Sequence, residues 1–470
     1  VLATLVDQSL VTPLPPTANG EARFGLLETL REYGVERLEA SGEQEAYRRR
    51  HALFLAQRVA HGLPGEGDQA QLDRMEEELG NVRAALAWAR EQGEAEVGLS
   101  LVGVWWWYWD ARGPLDEGIA WAEALLAVDA AESCARRATP LARARALFGL
   151  ATLKGRGEFE GVMALLEDSL ALWREVRDAE GIAMALNGLG NAALDRDDLA
   201  RAQPLYEESL ALALARGAAW ATVARPLRGL GCVALERGDY VRAETLFTEA
   251  LAGSQARQAA LYVAEAQKDL GVVFLAQGML AQAAAQFEES LRRFRDLGAK
   301  RGAAMVLGQQ AQVATRAGAL DHADALLDES LALYREEGMT WGVASALAKR
   351  ADVARARGDA VRAAELYHQS LALRRRAQAR LDLIKGLEGL AKVAHLQERW
   401  EDAVRLWAVA QTQRAALGTP CWPIDQPEDE RALAILRAAL GDDAFAASWA
   451  AGSGVALEQA LDELERDRHT

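Results

Sequence analysis

GVVFLAQGMLAQAAAQFEES, residues 271–290, is one copy of a pattern that the chain writes six times in succession, with a period of 40 or 41 residues. Four positions define it. Each copy opens on a small residue: Gly190, Gly231, Gly271, Ala311, Ala351 and Ala391. Twelve residues later stands an alanine every time, namely Ala202, Ala243, Ala283, Ala323, Ala363 and Ala403. Four further comes a ring or a large aliphatic group: Tyr206, Phe247, Phe287, Leu327, Tyr367 or Trp407. Three beyond that the residue is small again, as Ser209, Ala250, Ser290, Ser330, Ser370 and Ala410. Small residues at two depths let paired helices approach closely, and the large one fills the groove between one hairpin and the next. One hairpin cannot bury its apolar face alone, so the copies must stack.

This order of small, small, large and small resembles the tetratricopeptide repeat, and the resemblance implies an all-α, right-handed superhelical solenoid. The usual repeat has about 34 residues. The copies here are about six longer, which adds roughly 9 Å of helix at about 1.5 Å per residue. They also lack the proline that usually closes each repeat. Residues 148–170 read as a shorter copy ahead of the regular six, and residues 101–125 as a degenerate opening one.

Composition fits long helices. Half of the 470 residues are apolar and only 11 are proline, and leucine, alanine, glutamate and arginine are good helix formers. Cys134, Cys232 and Cys421 are scattered and odd in number, which implies neither a disulfide framework nor a zinc site. The most apolar run, residues 97–109, has 13 residues, short of the roughly 18 that cross a bilayer. No basic segment precedes the first apolar residues, so no secretion signal is read and a cytoplasmic location is expected. Val1 suggests a piece excised from a longer protein. The net charge of −16 argues against direct nucleic-acid binding, which depends on clustered cations.

The first 45 residues carry a second signal. LATLVDQSLV, residues 2–11, reads as a helix running into a strand, Pro13, Pro15, Pro16 and Gly20 make a turn, and RFGLLETLREYGVERL, residues 23–38, returns as strand and then helix. These words resemble the end of the winged helix that follows the nucleotide-binding module of bacterial STAND-class signalling ATPases and regulators. LDRMEEELGNVRAALAW, residues 72–88, is similar to the stretch that joins such modules to their repeats. The resemblance implies a partial winged helix over 1–45, a helical connector with a degenerate repeat over 46–140, a repeat array over 141–418 and a helical cap over 419–470. It further implies a sensor: an inducer, small molecule or protein, binds the repeats, and a nucleotide module upstream in cis, holding ATP or ADP, changes state and drives an output domain. A constitutive protein-binding scaffold is the alternative.

No cofactor is expected in this chain. The phosphate-binding order G-x-x-x-x-G-K-[ST] is missing, and Gly298-Ala299-Lys300-Arg301-Gly302 does not supply it. Gly188-x-Gly190-x-x-Ala193 and Gly229-x-Gly231-x-x-Ala234 match a dinucleotide fingerprint but fall inside repeat helices with no strand before them. His51, His61, His322, His368, His395 and His469 show no metal spacing. The recurring serines read as packing residues, because a nucleophile needs one serine beside one base. An enzyme, a metal site and a catalytic residue are therefore not expected.

A binding surface is. The resemblance places the first helix of each hairpin on a concave inner face, with exposed positions six and three before the opening small residue and one after it. These positions hold Asn187, Asn191, Arg225, Arg228, Glu265, Lys268, Gln312, Asp352, Lys385 and Lys392 as ligand- or partner-binding candidates. Asn187 and Asn191, four residues apart on one helix, could clamp a peptide backbone or sugar hydroxyls, while Arg225, Arg228 and Lys268 could meet a carboxylate or phosphate. The plainer reading pairs Glu265 with Arg228 and Lys268 on a solvated surface. Trp105, Trp106, Trp107, Tyr108 and Trp109 cannot all enter one core, since Trp107 looks away from Trp105 and Trp109 at about 100° per residue. One ring is thus a docking candidate, against core packing for the cluster. The run Gly418-Thr419-Pro420-Cys421-Trp422-Pro423-Ile424-Asp425-Gln426-Pro427 should break the last repeat helix, with short helices after it that cap the array.

Overall fold

The computed structural model describes residues 2–14, 22–60, 69–155, 161–377 and 379–467. The turn expected at Pro15, Pro16 and Gly20, together with His61 and His469, lies outside them. The chain divides into two compact units: Val1–Lys154 with Gly161–Gly181, and Gly155–Glu160 with Ile182–Thr470.

The first unit opens with α1 (Leu2–Asp7) and an antiparallel pair, β1 (Thr12–Leu14) and β2 (Arg23–Gly25), in which Pro13 faces Phe24. Then come α2 (Glu28–Ser41), α3 (Gln44–Ala60), α4 (Gln69–Gln92), α5 (Ala95–Ala111), α6 (Leu115–Ala130), α7 (Pro140–Lys154) and α8 (Val162–Val176). The aromatic run sits in α5, and Trp105, Trp106, Tyr108 and Trp109 are all buried while Trp107 is half-buried. Trp106 meets Phe148 edge to face at 5.5 Å, a favoured aromatic geometry. The cluster is core, with Trp107 alone retaining partial exposure.

The second unit is the repeat array. Its hairpins are α9 (Ala179–Leu194) with α10 (Leu199–Arg216), α11 (Trp220–Glu236) with α12 (Tyr240–Ala256), and α13 (Ala260–Ala276) with α14 (Leu280–Asp296). They continue as α15 (Lys300–Arg316) with α16 (Leu320–Glu336), α17 (Thr340–Ala356) with α18 (Ala360–Ala377), and α19 (Arg380–Leu396) with α20 (Trp400–Leu417). Three helices close the chain: α21 (Gln426–Leu440), α22 (Asp442–Ser453) and α23 (Leu457–Asp467). This is an all-α tetratricopeptide-type solenoid.

The repeated positions explain themselves in contact. A Cβ on Gly271 would lie 2.5 Å from Phe287 Cε1, and one on Gly190 2.6 Å from Tyr206 Cε1, so the ring of the second helix presses on the bare backbone of the first. Gly190, Gly229 and Gly231 of the apparent dinucleotide fingerprints are likewise pressed by the rings of Tyr206 and Phe247. Each recurring serine is buried and donates to a carbonyl of the first helix: Ser209 to Ala183, Ser290 to Ala264 and Ser370 to Ala344, all at 2.7 Å, and Ser330 to Ala304 at 2.8 Å. The turns inside hairpins need a left-handed residue, and Gly278 and Gly358 provide it with φ of 80°.

The array curls far enough to touch itself. Asp197, in the turn after α9, accepts a 2.7 Å hydrogen bond from the backbone N–H of Leu381 in the first turn of α19. First and sixth hairpins are thus brought together.

Candidate ligand-binding face

Successive first helices, α11 with α13, α13 with α15, α15 with α17 and α17 with α19, touch directly, whereas no two successive second helices do so comparably among the described residues. First helices therefore line the shorter, inner side of the curl.

One end of that face carries a charge cluster. Arg228 pairs with Glu265 and donates from Nε to Asp269 at 2.6 Å, and Lys268 Nζ lies 2.7 Å from Asp269. Asp269 is only 5% exposed. Burial alone would raise its carboxyl, but Arg228 and Lys268 hold it below the usual range. Burial likewise pushes the neighbouring Cys232 thiol up to about 12, with Asp269 adding to the effect, so it is not a reactive thiolate. Arg225 stacks over Tyr262, its Cζ 5.9 Å from the ring centroid. Asn191 Oδ1 accepts from the Tyr206 hydroxyl at 2.7 Å, and Asn187 is buried on the same helix. Arg228 and Lys268 are thus internally paired, and reversing both to glutamate would strand Asp269 among like charges. That exchange tests folding before it tests ligand binding.

Further along, Asp352 accepts from the Tyr367 hydroxyl at 2.5 Å. Lys349 donates to Ser345 Oγ at 3.0 Å and has no carboxylate within ion-pair distance among the described residues. Burial, then Arg374, bring its ammonium down to about 8. Gln312 is half-buried on α15.

The segment after α20 does more than the expected break. Leaving through Gly418 with φ of 67°, residues 419–429 run across the C-terminal ends of the first helices from α11, met by Pro420, to α19, met by Asp429. Pro420 lies on Gly238, where a Cβ would be 2.8 Å from Pro420 Cγ. Trp422 packs against the apolar cluster that includes Leu235, Leu270, Val273 and Ala276, which Tyr240 also borders, and Lys385 Nζ sits 5.4 Å from its ring centroid, a cation–π distance. The Ile424 N–H donates to the Ala276 carbonyl at 3.1 Å.

Three cations from three helices then meet its acids. Arg316 pairs with Asp425 and, at 3.2 Å, with Glu428; Arg355 reaches Glu428 at 2.5 Å; Lys392 reaches Asp429 at 2.7 Å and Glu428 at 3.7 Å. Burial alone would raise the Glu428 carboxyl, but Lys392, Arg355 and Arg316 hold it at about 2. Arg414 clamps Glu388 through Nε and, at 2.8 Å, through Nη2, while its Nη1 faces the carbonyls of Thr419 and Pro420 at 3.4 Å.

Of the ten candidates, Arg228, Glu265 and Lys268 share one cluster, Arg225 stacks nearby on the same helix, and Asn191 and Asp352 serve as acceptors for buried tyrosines. Lys385 and Lys392 hold the crossing segment. Asp269, Arg316 and Arg355 carry comparable roles yet fall outside the three exposed positions read from sequence, whereas Glu388 stands on one of them, three before Ala391, without being among the ten. The acidic run Asp425, Glu428, Asp429 was the available signal, being the complement of cations four and five residues past the opening small position. Among the described residues no group of three His, Cys, Asp or Glu could hold a metal ion, and no helix is long and apolar enough to cross a membrane.

A sequence profile of the tetratricopeptide repeat matches residues 181–256. A protein of Mycobacterium tuberculosis named as an HTH-type transcriptional regulator is 32% identical over 224 residues, covering 47% of this chain and 25% of that protein. A Mycobacterium bovis protein named in the same way matches to the same extent. The chain thus spans about a quarter of the length of these curated relatives. Among solved structures, a Rap protein complexed with competence and sporulation factor superposes with a TM-score of 0.56 at 12% identity, over 73% of this chain and 98% of that one. A STAND protein with a tetratricopeptide repeat sensor from Pyrococcus horikoshii gives 0.47 at 14% identity, over 91% and 59%.

Proposed function

We propose that this chain is the sensor half of a bacterial STAND-class transcriptional regulator. The second unit binds an inducer on its inner face. Residues 1–45 are the end of a winged helix, through which the bound state reaches an upstream nucleotide module holding ATP or ADP in the cytoplasm. The inner surface of charged and amide side chains, drawn from successive first helices, is the observation that carries this reading. The similarity to HTH-type regulators supports the transcriptional output.

The test is a thermal-shift screen of the chain against a metabolite panel and short peptides, repeated with Met305→Arg together with Gln312→Arg, at the positions six before and one after the opening Ala311 and outside the charge cluster. A stabilising ligand whose effect these substitutions remove is the expected result. A stable protein partner bound equally by both forms, with no stabilising small molecule or peptide, points instead to a constitutive scaffold.

A further inference from the structure

The crossing segment is built like a bound peptide. Between residues 419 and 425 its backbone makes one hydrogen bond to the first helices among the described residues, Ile424 to Ala276. Everything else is side-chain recognition: an aromatic ring in an apolar slot, then carboxylates on three cations, each cation from a different helix. The aromatic and the central acid, Trp422 and Glu428, stand six residues apart. The fit is incomplete. The buried Tyr240 hydroxyl beside the slot and Arg355 Nε beside Glu428 have no hydrogen-bond partner among the described residues, so an occupant that satisfied them would compete well.

We propose that residues 419–429 are an exchangeable occupant of a peptide site. In this scheme the inner face releases the segment in favour of an extended acidic peptide that carries an aromatic side chain about six residues ahead of its carboxylates. The inference rests on the sensor reading only in placing a ligand on the inner face. An acidic ligand suits the local field although the whole chain is acidic, because Arg316, Arg355, Lys385 and Lys392 converge there. Tethering gives the resident segment a high effective concentration, so a free peptide binds the intact protein weakly.

A fluorescein-labelled synthetic peptide of residues 418–431, carrying Cys421→Ser, provides the probe for anisotropy with the full chain. Trp422→Ala with Ile424→Ala, which loosens the resident segment, should tighten peptide binding at least tenfold over the wild type, and adding Arg355→Glu should abolish the gain. Equal binding by wild type and double variant, or a gain indifferent to Arg355→Glu, overturns the proposal. Circular dichroism checks folding. If the double variant is unfolded, hydrogen exchange on the wild type decides, since saturating peptide should speed exchange of the Ile424 amide and an unchanged rate overturns the proposal. A failure here, alongside a metabolite whose stabilisation the Met305→Arg and Gln312→Arg pair removes, leaves the sensor reading standing.

Discussion

A hydroxyl buried between two hairpins needs an acceptor, and this chain supplies it fifteen residues earlier: Tyr206 finds Asn191 and Tyr367 finds Asp352. Where the ring is Phe247 or Phe287 the same position holds Cys232 or Val272, neither of which offers an amide or carboxylate acceptor. Asn191→Leu should therefore cost about 1–3 kcal/mol in urea unfolding, the penalty of an orphaned buried hydroxyl. Tyr206→Phe with Asn191→Val, copying the pair at Phe287 and Val272, should return to within about 1 kcal/mol of wild type. The serines make a smaller, separable contribution. Ser330→Ala should destabilise by about 1 kcal/mol, since only one partner of a single hydrogen bond is lost. The small, large and small positions were legible because packing imposes them in every copy. The tyrosine acceptors were legible as positions but not as roles, because an amide one residue past the small position suits either a ligand or a neighbouring hydroxyl.

The repeat helices fall where the period puts them, and α21 to α23 follow the short amphipathic segments read after Pro427. What the period could not reveal is the path of residues 419–429, which belongs to no copy and whose partners lie as far away in sequence as Gly238, packed under Pro420. Its attachment makes a pH prediction. Glu428 is held at about 2 in the folded chain, below its ordinary value near 4.5. Its contribution is thus complete above that ordinary value and is lost as pH falls from there through 2. Asp429 beside it moves the other way, raised because burial outweighs the pull of Lys392, so the comparison must be made against a variant. Glu428→Gln should be less stable than wild type by on the order of 1–3 kcal/mol at pH 7. The gap should narrow as chemical denaturation is repeated from pH 5 down to pH 3, and a constant gap would count against the charge-held segment.

At the scale of the whole array, curvature is the property that no single copy determines. Each hairpin adds a small rotation, and only their sum decides that Asp197 meets Leu381. Asp197→Ala should leave the hairpins intact but deprive the Leu381 N–H of its acceptor. Its amide should then exchange at least tenfold faster in hydrogen-exchange mass spectrometry, with little change in the helices of the third and fourth hairpins. The division of the chain at Gly181, just past the shorter copy formed by α7 and α8, was equally invisible to a reading that counted copies. The sensing claim concerns this curled array, and hydrogen exchange on the full chain with a stabilising ligand from the screen tests it most directly. Protection concentrated in α13, α15, α17 and α19, with little change in α12, α14, α16 and α18, is the predicted result. Protection confined to the second helices or to the first unit would contradict an inner-face sensor.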